Sequence, residues 1–140
     1  MLGRDFPNLI LTGFIQTSLR TPDYNCIAWA AGENSRWWWP DFQYVCYWPD
    51  NLARGDESIL NFIKLFEGLG YFVCEDGHLE DEFEKVVLYA NGDSVKHAAR
   101  QLPSGKWTSK LGSNIDIEHT LEGLECPFYG QIIQFMKRSR

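Results

Sequence analysis

Two residues, Cys26 and His97, have the side chains and positions that thiol chemistry needs. Cys26 lies in PDYNCIAWAAG, where turn-forming residues give way to a helix-forming run. The partial positive charge of a helix start favours the thiolate, which is the nucleophilic form of cysteine. Histidine is the most common base for removing such a proton. Cys26 and His97 are therefore a candidate nucleophile and base, and the alternative is an inert buried thiol with a histidine satisfied in the core.

The segment around His97, SVKHAARQ, has the pattern of a β-strand. Strand alternation predicts one face that carries Val95, His97, Ala99 and Gln101. The turn LPSG then returns the chain in KWTSKLG, so that Thr108 or Ser109 can orient the imidazole. We favour Ser109, because it lies near the mirror position of His97 about the turn.

Other polar residues are candidates for binding the substrate or its developing negative charge. The backbone N–H of Cys26, unpaired in the first helical turn, can form one half of an oxyanion hole. Candidates for its second donor are Gln16, Tyr24 and Asn25. Beyond the second hairpin strand, further candidates for polar roles in the site are Asn114, Asp116 and His119.

Four of the six tryptophans occur in SRWWWPDFQYVCYWPDN, which two prolines interrupt. Proline excludes a long helix from this stretch. Trp37, Trp38 and Trp39 can fill the core, since aromatic rings bury large areas. They can also wall a groove that stacks a sugar or an extended peptide.

The secondary structure that must position these residues is predicted as one α+β domain over residues 1–140. A short helix spans residues 26–31, with Asp23 or Asn25 as N-cap and Gly32 at its end. A second helix spans residues 56–69, with Asp56 as N-cap and Gly70 as its stop.

The remaining segments are predominantly predicted as strands. YFVCE is predicted as a short strand, and KVVLYANGDSVKHAARQLPSGKWTSKLG as an antiparallel meander with two turns. NIDIEHTLEGLE is predicted as a short helix, and YGQIIQFMKR as a closing strand. Residues 1–21 are predicted to form an irregular entry segment with one short strand.

The composition limits the possible partners. The chain has 140 residues, 44% hydrophobic, and a net charge of −6. This charge argues against a nucleic-acid surface, which needs clustered lysine and arginine. No run of apolar residues is long enough for a membrane span, so we expect a cytoplasmic protein. The four cysteines are widely spaced without a CxxC pair, so we expect reduced thiols, no metal site and no cofactor.

The motifs together resemble the papain-like superfamily of thiol hydrolases, notably the CHAP amidases and NlpC/P60 peptidases. NCIAWA is similar to the helix start of CHAP domains, although NlpC/P60 domains have DCSG where this chain has NCIA. YNCIAWAAG, RWWWP, EKVVLYA and HAARQLPSGKWTSKLG also resemble a family of small bacterial proteins of unknown function. The resemblance implies a papain-like core of N-terminal helices on a β-meander, with Cys26 as nucleophile and His97 as base.

The resemblance implies a cysteine-dependent hydrolase of amide or peptide bonds. A peptide, an isopeptide or a peptidoglycan-like molecule is the expected substrate class. The second hypothesis is a catalytically idle papain-like fold that binds a peptide or glycan, because fold alone does not determine function. The third is an interaction protein of effector, toxin or immunity type, in which RWWWP forms an exposed interface.

Overall fold

A computed structural model describes residues 2–140 as an α+β fold around a single sheet. The helices are α1 (Leu2–Asp5), α2 (Pro7–Thr12), α3 (Cys26–Ala31), α4 (Ile59–Glu67) and a 3-10 helix over Glu122–Leu124. The strands are β1 (Phe14–Gln16), β2 (Phe72–Cys74), β3 (Phe83–Asn91), β4 (Ser94–Gln101), β5 (Trp107–Lys110), β6 (Asp116–His119) and β7 (Gln131–Ser139).

The seven strands form one antiparallel sheet in the order β1-β6-β5-β4-β3-β7-β2. The meander β3-β4-β5 predicted from the two turn signals is confirmed. Gly92 in the β3-β4 turn has a φ of 58°, a left-handed conformation that glycine adopts without steric cost. The strands YFVCE and YGQIIQFMKR are also confirmed, as β2 and β7.

Each face of the sheet has its own hydrophobic core. The first core, under α3 and α4, includes Ile27, Ala28, Phe62, Phe66, Val86, Leu88, Val95 and Ala98. The second core, under α2 and the 3-10 helix, includes Leu9, Val87, Tyr89, Ala99, Trp107, Ile117 and Leu124. Alternate residues of β3 therefore supply opposite cores, as strand geometry requires.

The helix that carries Cys26 has the predicted bounds, Cys26–Ala31. Asn25 caps its start, because the Asn25 side chain accepts a hydrogen bond from the Ala28 N–H at 3.2 Å. Gly32 ends the helix in the left-handed region, with a φ of 93°. Local capping chemistry alone is sufficient to predict this element.

The other helical predictions need correction. Asp56 is not the N-cap of α4, because Ser58 accepts from the Asn61 N–H while Asp56 accepts from the Ser58 N–H in a preceding turn. The helix ends at Glu67, before Gly70. In the entry segment the predicted strand is present as β1, but α1 and α2 precede it where irregular chain was expected.

The short helix predicted over NIDIEHTLEGLE is wrong. Asp116–His119 is a strand that pairs with β1 on one side and β5 on the other. The segment has apolar residues compatible with either structure, and partners on both sides provide the strand hydrogen bonds that a helix would make internally. Only the 3-10 turn Glu122–Leu124 of the predicted helix is present.

A β-bulge in β4 also changes the predicted strand faces. Val95 pairs with Ala90 and His97 pairs with Tyr89, which leaves Lys96 without a partner on β3. The extra residue moves Val95 into the first core, on the face opposite His97. Strict alternation, which placed Val95 and His97 together, is therefore wrong at this point.

Among residues 2–140, no helix has the length and apolar character needed to cross a membrane.

Candidate active site

Cys26 is held at its helix start by the side-chain amide of Asn25. Besides capping α3, the Asn25 oxygen accepts from the Trp38 N–H at 3.0 Å, and its amide nitrogen donates to the Trp38 carbonyl oxygen at 2.9 Å. One buried asparagine thus joins the helix start to the aromatic segment. Cys26 and the tryptophans are brought together by this clamp.

The thiol of Cys26 is neutral in its resting environment. Only 7% of the residue is exposed, and burial raises the pKa of the Cys26 thiol to about 11. The backbone amide of Ala98 on β4 and those of Ile27 and Cys26 at the helix start oppose this change in the pKa. The increase in pKa from desolvation is larger than the decrease from these donors, so the thiol carries its proton at neutral pH.

This environment predicts an alkaline loss of stability that depends on Cys26. The folded-state pKa is raised above the unfolded value, so the stabilisation is complete below the unfolded pKa and is lost as pH rises towards the folded one. Between pH 8 and pH 10 the wild-type protein is expected to lose about 1 kcal/mol more than Cys26→Ala. Urea denaturation at both pH values measures the difference, and equal losses would contradict a buried neutral thiol.

His97 belongs to a chain of hydrogen bonds that determines which ring nitrogen carries the proton. His119 Nδ1–H donates to the Thr120 carbonyl oxygen at 2.7 Å, because a carbonyl only accepts. Neutral His119 then accepts at Nε2 from the Ser109 hydroxyl, at 2.7 Å. Ser109 Oγ in turn accepts from His97 Nε2–H, at 2.9 Å. The proton of His97 therefore lies on Nε2.

The other nitrogen of His97 is left with a free lone pair. His97 is fully buried, and its Nδ1 has no hydrogen-bond partner among the described residues. Burial, and secondly the charge of His119, lower the pKa of His97 well below its usual range. A neutral imidazole with a bare Nδ1 is the form that can accept a proton.

Tyr129 links His97 to the thiol. Its ring stacks on the imidazole, with centroids 4.0 Å apart and planes inclined by 12°. Burial raises the pKa of Tyr129, and the negative charges that Cys26 and Cys126 acquire when they ionise at alkaline pH add to this effect. Tyr129 thus lies close to both members of the candidate pair. Among the described residues, no hydrogen bond joins Cys26 to His97 directly.

A cavity of about 320 Å³ opens beside Cys26. Residues that line it include Cys26, Trp37, Trp39, Cys46, Lys96 and Tyr129. Its walls are mainly apolar and include three aromatic rings, and its volume falls within the range of small-molecule sites. The sequence-predicted groove wall thus corresponds in part to this cavity.

The remaining predicted site residues lie elsewhere or have other partners. Gln16, on β1, donates from its amide to the Ser18 carbonyl oxygen. The Tyr24 hydroxyl donates to Asp116 at 2.7 Å. The backbone N–H of Asn114 donates to the Leu111 carbonyl oxygen in the β5-β6 turn. None of these three residues lines the cavity.

The three consecutive tryptophans have different environments. Trp38 is 6% exposed and packs in the first core, whereas Trp37 is 36% exposed. Trp39 is half-buried and packs on Phe62. An interface formed by all three rings, which the third hypothesis requires, is therefore not displayed on the surface.

Sequence reasoning missed several residues of the site. Tyr129, Lys96 and Cys46 reach the cavity from three separate segments, and no spacing pattern in the sequence relates them. The bulge that redirects Lys96 contains no glycine that would indicate it in the sequence. His119 was a candidate from the sequence, but its hydrogen bond to Ser109, which also bonds His97, was not predicted.

Comparison with known proteins identifies a family but no characterised relative. The family model described as Domain of unknown function (DUF7689) matches residues 15–137. No curated protein and no solved structure matches the chain. The papain-like, CHAP and NlpC/P60 kinship expected from the motifs receives no support from these comparisons. Because the family model covers nearly the whole sequence, the chain belongs to the family of the domain of unknown function DUF7689.

Proposed function

We propose that this protein is a cysteine-dependent hydrolase of amide bonds, with Cys26 as nucleophile and His97 as general base. The observation that carries the proposal is the hydrogen-bond chain from Thr120 through His119 and Ser109 to His97. This chain leaves His97 Nδ1 as a buried proton acceptor without a partner among residues 2–140. A structural histidine in a core normally has both nitrogens satisfied, so the bare Nδ1 favours a chemical role.

In the proposed reaction, Cys26 Sγ attacks the carbonyl carbon of an amide while His97 Nδ1 takes the thiol proton. Ser109 and His119 are positioning residues, because they hold the ring with Nδ1 directed away from their own bonds. The backbone N–H of Cys26 stabilises the oxyanion. His97 then returns its proton to the leaving amine, and water hydrolyses the thioester to release the acid and restore the thiol.

Cys26 packs in the first core, whereas His97 faces Tyr89 of the second core. Proton transfer therefore requires the two side chains to come into hydrogen-bond contact around the part of β4 that precedes its pairing with β5 at Arg100 and Gln101. Catalytic hydrogen bonds are often long in the free enzyme and shorten when substrate binds. Tyr129 stacks on His97 and lines the cavity beside Cys26, so the proposed contact forms next to its ring. A papain-like ancestry, with a peptide, isopeptide or peptidoglycan-like substrate, is part of the same proposal.

A burst assay with p-nitrophenyl acetate tests the nucleophile. The wild-type protein is expected to release about one p-nitrophenolate per chain rapidly and to carry an acetyl thioester on Cys26, located by mass spectrometry. Cys26→Ala abolishes the burst. His97→Gln slows acylation by about a hundredfold, the typical contribution of a general base.

Cys46→Ser is the matched control, because Cys46 lines the same cavity but lies in a bend and not at a helix start. This variant is expected to retain the burst on Cys26. Circular dichroism and thermal melting show whether each variant is folded. A burst that persists in Cys26→Ala, or equal acylation rates in folded His97→Gln and wild type, would overturn the proposal.

The second candidate is the idle binding fold, which the pKa of about 11 for Cys26 favours. In that case the rate of Cys26 alkylation by iodoacetamide rises with pH as the buried thiol ionises, and His97→Gln does not change this rate. The hydrolase instead requires alkylation near neutral pH that falls about tenfold or more in His97→Gln. Site-resolved mass spectrometry separates Cys26 from the other three thiols.

A further inference from the structure

Lys96 is directed to the Cys26 cavity by the bulge in β4. Val95 and Ala98 both lie in the first core although three positions separate them along the strand. The unpaired Lys96 accounts for this shift in alternation. Bulges often redirect a side chain towards a functional site, and Lys96 lines the cavity.

Within the described part of the chain, the ammonium of Lys96 has one loose ion-pair partner, Glu57. Its Nζ lies 3.7 Å from Glu57 Oε1, and both side chains are 39% exposed. The Glu57 carboxylate already accepts from Trp39 Nε1 at 3.3 Å and from the Ser94 hydroxyl at 3.1 Å. Lys96 therefore has N–H donors free for an anionic group.

Apart from this lysine, the cavity walls are suited to a flat apolar group. Trp37, Trp39 and Tyr129 contribute aromatic rings to the walls. Lys96 is the one charged side chain among the described residues that line the cavity. A single cation beside aromatic walls is complementary to a molecule that combines one ring with one negative charge.

We propose that this cavity binds an aromatic carboxylate, with its ring among Trp37, Trp39 and Tyr129 and its carboxylate on Lys96. A volume of about 320 Å³ suits a ligand of one or two rings. The carboxylate belongs either to a free aromatic acid or to the C-terminal residue of a peptide. This binding does not require Cys26 to react, so it stands apart from the proposed hydrolysis.

Calorimetric titration of the Cys26→Ala variant tests the proposal without turnover. The probes are indole-3-propionate and its neutral amide, indole-3-propanamide. The acid is expected to bind about tenfold more tightly than the amide, because a charge-assisted hydrogen bond to Lys96 is lost with the amide. Raising the salt concentration reduces this preference.

Lys96→Met, made in the same background, is expected to remove the preference for the acid while leaving the affinity for the amide unchanged. Lys106→Met removes the same charge from the exposed β4-β5 turn and is expected to change neither affinity. Lys96→Arg keeps the cation and is expected to keep the preference. This series separates a local contact from the effect of net charge.

The two sources of the carboxylate are distinguished with N-acetyl-glycyl-phenylalanine and its C-terminal amide. Tighter binding of this peptide acid than of indole-3-propionate identifies a peptide terminus, and the reverse order identifies a free acid. Absence of binding at millimolar concentration, equal affinity for acid and amide, or equal effects of Lys96→Met and Lys106→Met would overturn the proposal. Binding without any burst in the wild type would overturn the hydrolase alone.

Discussion

Replacing Lys110 with methionine is expected to lower the free energy of unfolding by about 3–5 kcal/mol, because several buried groups lose their partner together. Lys110 is fully buried on β5. Its ammonium donates to the carbonyl oxygens of Thr21 at 2.6 Å, Tyr24 at 3.0 Å and Gly112. It thereby ties the segment before Cys26 to the β5-β6 turn. Methionine fills similar volume but donates no hydrogen bond.

Urea denaturation of Lys110→Met and of Lys106→Met measures the effect. Lys106 is exposed, so its replacement is expected to change stability by less than about 0.5 kcal/mol. Because Thr21 and Tyr24 lead directly into the helix of Cys26, Lys110→Met is also expected to slow acylation of the thiol. A loss below about 1 kcal/mol would show that the three carbonyls find other donors.

Lowering the pH from 7.5 to 5 is expected to destabilise the protein through His119 and His97. Burial lowers the pKa of His119 to about 4 and lowers that of His97 in the same direction. For a depressed folded-state pKa, the stabilisation is present above the unfolded value and is lost as pH falls towards the folded one. His119 alone contributes a loss of about 2 kcal/mol by pH 5.

The measurement compares wild type, His119→Gln and His78→Gln by urea denaturation at both pH values. His119→Gln is expected to reduce the loss on acidification by about 2 kcal/mol, since glutamine does not bind the proton. His78 has an exposed side chain, so His78→Gln is the matched control for the same substitution outside the core. Identical losses in wild type and His119→Gln would contradict a neutral buried His119.

The same acidification connects stability to the proposed chemistry. Protonation of His119 removes the acceptor of the Ser109 hydroxyl, so the proton arrangement of the chain changes. His97 then loses the defined Nε2–H tautomer that leaves Nδ1 bare. The rate of Cys26 acylation is therefore expected to decline over the pH range in which His119 becomes protonated. This decline adds to any effect of acidification on folding.

Prediction from sequence was most successful for the elements that local interactions define. The helix Cys26–Ala31, its Asn25 cap and its Gly32 end involve neighbours within a few residues. The turn after β3 is similarly encoded by Asn91 and Gly92. Short polar side chains and glycine act on their own backbone, so their effects are readable before the fold is known.

Sequence failed where pairing partners come from far along the chain. Asp116–His119 was predicted as a helix, but β1 and β5 flank it and make it a strand. The bulge at Lys96 depends on the register between β3 and β4. In both cases a distant segment supplies the hydrogen bonds, and local propensity is a weak guide to them.

For the candidate site the division is similar. Cys26 at a helix start, His97 on a strand and Ser109 near its mirror position follow from the order of residues and turns. Their relation in space follows from the sheet, which places Ser109 between His97 and His119. Burial, which sets the protonation of these groups, follows from packing on both sheet faces. Residue types thus determined which chemistry is available, and tertiary structure decided which atoms meet and which nitrogen stays free, because hydrogen bonding and desolvation depend on distant neighbours.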